Sequence, residues 1–192
     1  FIAFPVVSFI LMFSLLLFLI IALQDENDKK DEMDFGGLNV SQDVLKYRPL
    51  VEKYAREYGV EEYINYLLAI MEVESGGRVP DVMQCSESLG LPPNSLEPEP
   101  SIKQGCYYFS SLLKNALDRG CDISVAVQSY NYGGGFTLYV DERDKKYSLN
   151  HAIDYAREKS GGVTVNYSDS IAVNHNGGWR YKYGNMFYVQ LV

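Results

Sequence analysis

The first twenty-three residues carry no charge, and they decide how much of the chain is left to fold. Phe1 to Leu23 is dense in Phe, Leu, Ile and Val. As a helix it is long enough to cross the roughly 30 Å hydrocarbon layer of a bilayer. The apolar core of a cleavable signal peptide is shorter, about 7 to 15 residues, and ends at a small-residue site. Residues 1–23 are therefore expected to be a transmembrane anchor. What remains of the 192 residues suffices for one globular domain.

The anchor is followed by Asp25 to Asp34, with six acidic and two basic residues. Flanks retained in the cytoplasm are usually rich in Lys and Arg, so this acidic flank predicts a domain outside the cell. Residues 24–42 read as a solvated acidic linker, too polar to pack. Its opening D-x-N-x-K lacks the turn glycine of a calcium loop and puts Lys29 at a ligand position, so neither a metal nor a cofactor is expected. The chain carries net charge −8, of which −4 lies in that flank. The remainder has no basic face for nucleic acid.

From Asp43 onward the spacing is helical. Leu45, Val51, Tyr54, Ala55 and Tyr58 predict one helix closed by Gly59, and a second runs from about Glu61 to Glu74, ended by Ser75-Gly76-Gly77. Arg78 to Pro100, with its prolines and Gly90, reads as a loop too long to be idle in a compact domain. Ser101 looks like the N-cap of a helix reaching about Leu117, and Asp122 like the cap of the next, which breaks at Gly133-Gly134-Gly135. A further helix spans about Leu149 to Lys159. Val163 to Val173 suggests a short strand or extended segment, and Gly177 to Val192 is aromatic without clean periodicity. The expectation is a mainly α domain over residues 43–192, with a long active-site loop and at most a small β element. Cys85, Cys106 and Cys121 fit one bridge plus a free thiol, or three buried thiols, equally well.

Three separated pieces carry chemistry together: AIMEVESGG (Ala69 to Gly77), DVMQCSESLG (Asp81 to Gly90) and QSYNYGGG (Gln128 to Gly135). Glu74 closes an apolar helix, where the helix dipole and hydrophobic walls favour its protonated form. A general acid for glycosidic cleavage needs that property near neutral pH. In order and spacing these pieces resemble the goose-type lysozyme and lytic transglycosylase superfamily, with its Glu-Ser after an apolar helix, its Met-Gln and its Tyr-Asn-x-Gly. Here they stand as Glu74-Ser75, Met83-Gln84 and Tyr130-Asn131-Tyr132-Gly133. The match is closer to the lysozyme-like domains of CwlT-type cell-wall hydrolases, through MEVESGG, PDVMQCSESLGLPPN and YKYGNMFYV.

The resemblance implies a lysozyme-like fold and cleavage of the β-1,4 bond between N-acetylmuramic acid and N-acetylglucosamine in peptidoglycan, with Glu74 as catalytic acid. Glu87 is a candidate second carboxylate, and Ser75, Gln84, Ser86, Tyr130 and Asn131 are candidate substrate-binding residues. Water as nucleophile makes a muramidase; the muramoyl 6-hydroxyl makes a lytic transglycosylase with 1,6-anhydro products. A wall-binding module without turnover is the third reading. One departure is that Asp81-Val82 stands where the transglycosylases have Gly-Leu. Glu72, two residues from Glu74, is expected to be solvated, and Asp81 to serve its own turn. Tyr107, Tyr108, Trp179, Tyr181 and Tyr183 are candidate platforms for sugar faces.

Overall fold

The computed structural model describes residues 39–192. The expected anchor, 1–23, and the linker as far as residue 38 lie outside them. Among the described residues no helix is long and apolar enough to cross a membrane.

The chain begins with a short helix α1 (Gln42–Leu45) and continues into α2 (Arg48–Glu57), two helices where the spacing suggested one. The division falls at Pro49, which has no N–H to give to an earlier turn and is tolerated only in the first turn of a new helix. A 3₁₀ turn (Glu61–Tyr63) leads into α3 (Ile64–Glu74). Leu67 to Met71 are all buried, so α3 is hydrophobic almost all round and runs through the core. It stops at Glu74 because the next two residues able to take positive φ do so, Gly76 at 59° and Gly77 at 68°.

The long loop then folds through a 3₁₀ turn (Ser86–Leu89) into α4 (Pro98–Asp118). This helix starts before Ser101: its N-cap is Glu97, and Pro98 occupies the first turn, where a missing N–H costs nothing. Ser101 is buried inside it instead. The apolar stripe Ile102, Cys106, Phe109, Leu113 and Ala116, at alternating spacings of four and three, turns one side of α4 to the core. Helix α5 (Ile123–Tyr132) is capped by Asp122, whose carboxylate accepts from the Val125 N–H at 3.2 Å. It packs along α4 with seven of its ten residues buried.

Gly133, at φ 81°, ends α5, and α6 (Gly135–Asp141) follows at once. Helix α7 (Leu149–Lys159) starts under the Ser148 cap. The expected extended segment is a strand of three residues, β1 (Thr164–Asn166), after which the chain turns into α8 (Ser170–Asn176). Strand β2 (Trp179–Tyr181) pairs antiparallel with β1, with Val165 opposite Arg180, and the last element is α9 (Tyr188–Leu191). The domain is mainly helical with one two-stranded sheet, as expected. All three cysteines are free and buried, which removes the bridge.

Candidate active site

Glu74 owes its place to the glycine turn behind it. Gly77 passes so close to α1 that a Cβ there would lie 2.4 Å from the Asp43 carbonyl oxygen. The Ser75 hydroxyl donates to the Val82 carbonyl at 2.7 Å and accepts from the Gly77 N–H at 2.9 Å, fastening the loop to the end of α3. The half-buried Glu74 carboxyl receives a 2.6 Å hydrogen bond from the hydroxyl of Tyr188, itself fully buried. Burial pushes its pKa up from 4.5 to about 7; the Tyr188 hydrogen bond opposes that, and the nearby Asp81 charge adds to it. Tyr188 is pushed well above the usual phenol range, chiefly by its own burial, so it stays a donor.

Asp81 organises the loop. It is 1% exposed, and its Oδ1 accepts from the Ser101 hydroxyl (2.6 Å) and the Cys85 N–H (3.2 Å), while Oδ2 accepts from the Ser86 N–H (3.0 Å) and hydroxyl. Burial alone would raise its pKa, but these donors outweigh it and hold the carboxyl below the usual range. Ser86 is buried as well, and its oxygen also accepts from the Ser95 and Leu96 N–H groups. Its hydroxyl is thus consumed within the loop. Ser75 is likewise engaged, and neither serine lines the cleft.

Met83-Gln84 forms the cleft edge. The Met83 N–H donates to the Ser101 hydroxyl and its carbonyl accepts from Tyr130, both at 2.9 Å. Its side chain lies against Gly105 of α4, where a Cβ would sit 2.8 Å from Met83 Cβ. Gln84 is held at φ 47°, unfavourable for a side chain with a Cβ. Its amide donates to the Asp81 carbonyl and to Asn94 Oδ1, both at 2.7 Å. On the other side, Asn131 Oδ1 accepts from the Asn185 N–H at 2.6 Å, which seats the Gly184 turn on the end of α5.

Between these walls lies a cleft of about 420 Å³, lined among others by Glu74, Gln84, Glu87, Tyr108, Tyr130 and Asn131. Glu87 stands exposed on the 3₁₀ turn at its lip. Tyr108 packs edge-on to Tyr130 at 5.3 Å and is the one of the five candidate aromatic platforms that lines the cleft. Tyr183 spends its hydroxyl on the Tyr132 carbonyl, Trp179 and Tyr181 pack on each other on β2, and Tyr107 packs on Tyr58. Glu72 is not solvated as expected: its Oε2 accepts from both the N–H (2.8 Å) and the hydroxyl (2.7 Å) of Ser41. Tyr188 lies within the YKYGNMFYV phrase that carries the resemblance, but nothing in that phrase assigns it to Glu74. It lies 114 positions from Glu74 in a stretch without periodicity.

Fold and site together define a helical domain that aims one desolvated carboxylic acid, from the end of a buried helix, into an open polar cleft. The chain belongs to the lysozyme-like family, whose pattern matches residues 41–192. It is 37% identical over 175 residues to the bifunctional muramidase/DL-endopeptidase CwlT of Bacillus subtilis, covering 87% of this chain and 52% of that one. It is 32% identical over 155 residues to a pneumococcal vaccine antigen A homolog of Streptococcus pyogenes, covering 77% of each. A crystal structure of a lipoprotein-like protein of the NLP/P60 family from Staphylococcus aureus superposes with TM-score 0.79 at 60% identity, over 81% of this chain and 52% of that one. The chain thus spans about half the length of CwlT and of the staphylococcal protein.

Proposed function

We propose that this chain cleaves the glycan strands of peptidoglycan at the β-1,4 bond between N-acetylmuramic acid and N-acetylglucosamine, as an N-acetylmuramidase. The observation that carries the reading is the Glu74 carboxyl, desolvated to a pKa of about 7 and open to the cleft. At neutral pH it holds a proton for a large share of the time, as a general acid must. The Tyr188 hydroxyl engages Oε1, which leaves Oε2 to carry that proton toward the glycosidic oxygen. As the leaving sugar departs, positive charge builds on the ring and the new carboxylate is stabilised by the same Tyr188 hydroxyl. Glu74 then takes a proton from the attacking water. Gln84 and Asn131 flank the cleft with amide groups suited to an N-acetyl substituent, Tyr108 and Tyr130 supply ring surface, and Glu87 at the lip orients the water. Ser75 and Ser86 act indirectly, by holding the loop.

The muramidase named among the relatives supports this reading. So does the uncharged run 1–23, read as an anchor that keeps the domain outside the membrane and facing the wall; a relative 36% identical over 114 residues is described as a membrane protein. The test is zymography on purified peptidoglycan: clearing by the wild type, and clearing reduced about 10²- to 10⁴-fold for Glu74→Gln, the usual worth of a general acid. Equal clearing by both would refute the assignment. Mass spectrometry of the products should find reducing muramic acid; 1,6-anhydro ends alone would replace hydrolysis with intramolecular transfer.

A further inference from the structure

Helix α4 presents a second face. Tyr108 turns toward the cleft, whereas Ser111, Lys114 and Asp118, spaced by three and four, form a stripe on another side. With Tyr58 and Tyr63, on either side of the turn before α3, this stripe walls a groove of about 660 Å³, larger than the cleft and sharing no lining residue with it. Tyr107, 51% exposed, braces Tyr58 edge-on at 5.5 Å, and Tyr66, 39% exposed, lies 6.3 Å from Tyr63.

What lies between the rings selects the occupant. Glu61, Glu62, Ser110, Ser111, Lys114 and Asp118 line the groove beside the apolar Val60, Leu113 and Leu117, and Lys114 pairs with Asp118 at 2.6 Å. The cores of protein interfaces are depleted in Lys, Glu, Asp and Ser, so the mixture does not suit a protein partner. Three carboxylates against one lysine do not suit nucleic acid. A pyranose matches on both counts, because its C–H face packs on a tyrosine ring while its hydroxyls bond to carboxylates and serines at the ring's edge. The Ser111 hydroxyl donates to the Tyr107 carbonyl at 3.0 Å, leaving its oxygen free to accept.

The geometry points to a second saccharide-binding site in the α4 groove, which takes a single uncharged N-acetylglucosamine unit of a glycan strand and holds it apart from the strand being cut. This inference rests on the proposed action on peptidoglycan. Its value to the protein is retention on an insoluble polymer, since two sites on one substrate raise the effective concentration of each.

The test uses the full chain with Ser111→Trp, which fills the groove from an exposed position, and Tyr107→Ala, which removes the brace. In a Glu74→Gln background, sedimentation with purified sacculi should show binding about fivefold weaker for either variant, about 1 kcal/mol. With Glu74 intact, lysis of sacculi should slow while the initial rate on a soluble tetrasaccharide of the same sugars stays unchanged; Ser111→Ala should behave as its parent. Unchanged binding and lysis in folded Ser111→Trp would overturn the site and leave the face to a protein partner. Equal slowing on soluble and insoluble substrate would overturn it too, by tracing the effect to the cleft. Sacculus lysis surviving Glu74→Gln would instead sink the catalytic assignment, which the binding arm does not measure.

Discussion

Glu74 is kept protonated by withholding solvent, and withholding solvent costs stability. Its carboxyl titrates near 4.5 when unfolded and about 7 when folded, so between those values the folded state binds the extra proton. Stability from this residue is therefore complete below about pH 4.5 and is lost as pH rises through about 7, by about 3 kcal/mol in total. Glu74→Gln should cut cleavage as above yet unfold at higher denaturant than the wild type at pH 8, with little difference at pH 4; parallel pH dependence in the two proteins would contradict the desolvation. Tyr188→Phe removes the interaction that lowers the Glu74 pKa, so the alkaline limb of the pH–rate profile should move to higher pH while overall rate falls. Asp81 has the opposite sign: its contribution is present above the unfolded carboxyl pKa and fades as pH falls through its depressed folded value. Asp81→Asn leaves at least one buried serine hydroxyl without its acceptor and should cost about 2 to 4 kcal/mol, read from the urea midpoint.

Helices are where the sequence spoke most clearly, and loops are where a single glycine decides the outcome. Gly105 stands in the middle of α4, where alanine would ordinarily favour the helix by about 1 kcal/mol. Its missing side chain is the space that Met83 fills, and Gly105→Ala would press on Met83 Cβ and Cγ at 2.8 Å. Overpacking of that kind costs about 1 to 3 kcal/mol. The variant should be less stable than the wild type and less active, because Gln84 follows Met83; gain of stability with full activity would show that the loop moves aside freely. The ends of α3, α5 and α7 were readable because glycines and capping side chains mark them in the sequence. Ser101 misled because a serine fits both an N-cap and a buried helix interior, and only packing chooses; the break before α2 is marked by Pro49, which the helical spacing of its neighbours overrode. Helices α6 and α8 are seven residues each, too short for periodicity to rise above their surroundings.

Taken whole, the domain draws its cleft from α3, the loop, α4 and α5, and Glu74's partner from α9. The first three motifs were legible because each concentrates chemistry in a few adjacent residues. Tyr188 and Glu72 were not, because their roles arise from contacts across the fold: one with Glu74 114 residues away, the other with Ser41 31 residues away. A site spread this widely should have no separate melting of its own. Urea titration followed by helical circular dichroism and by residual cleavage should give coincident midpoints, and activity lost well before helicity would mean that the cleft opens as an independent unit.

The hydrogen bond between Tyr188 and Glu74 also sets a time. A chain still emerging from the ribosome can form α3 and its acid long before residue 188 is available to meet it. Until α9 docks, Glu74 lacks its partner, so the order of synthesis delays the site until Tyr188 has been added.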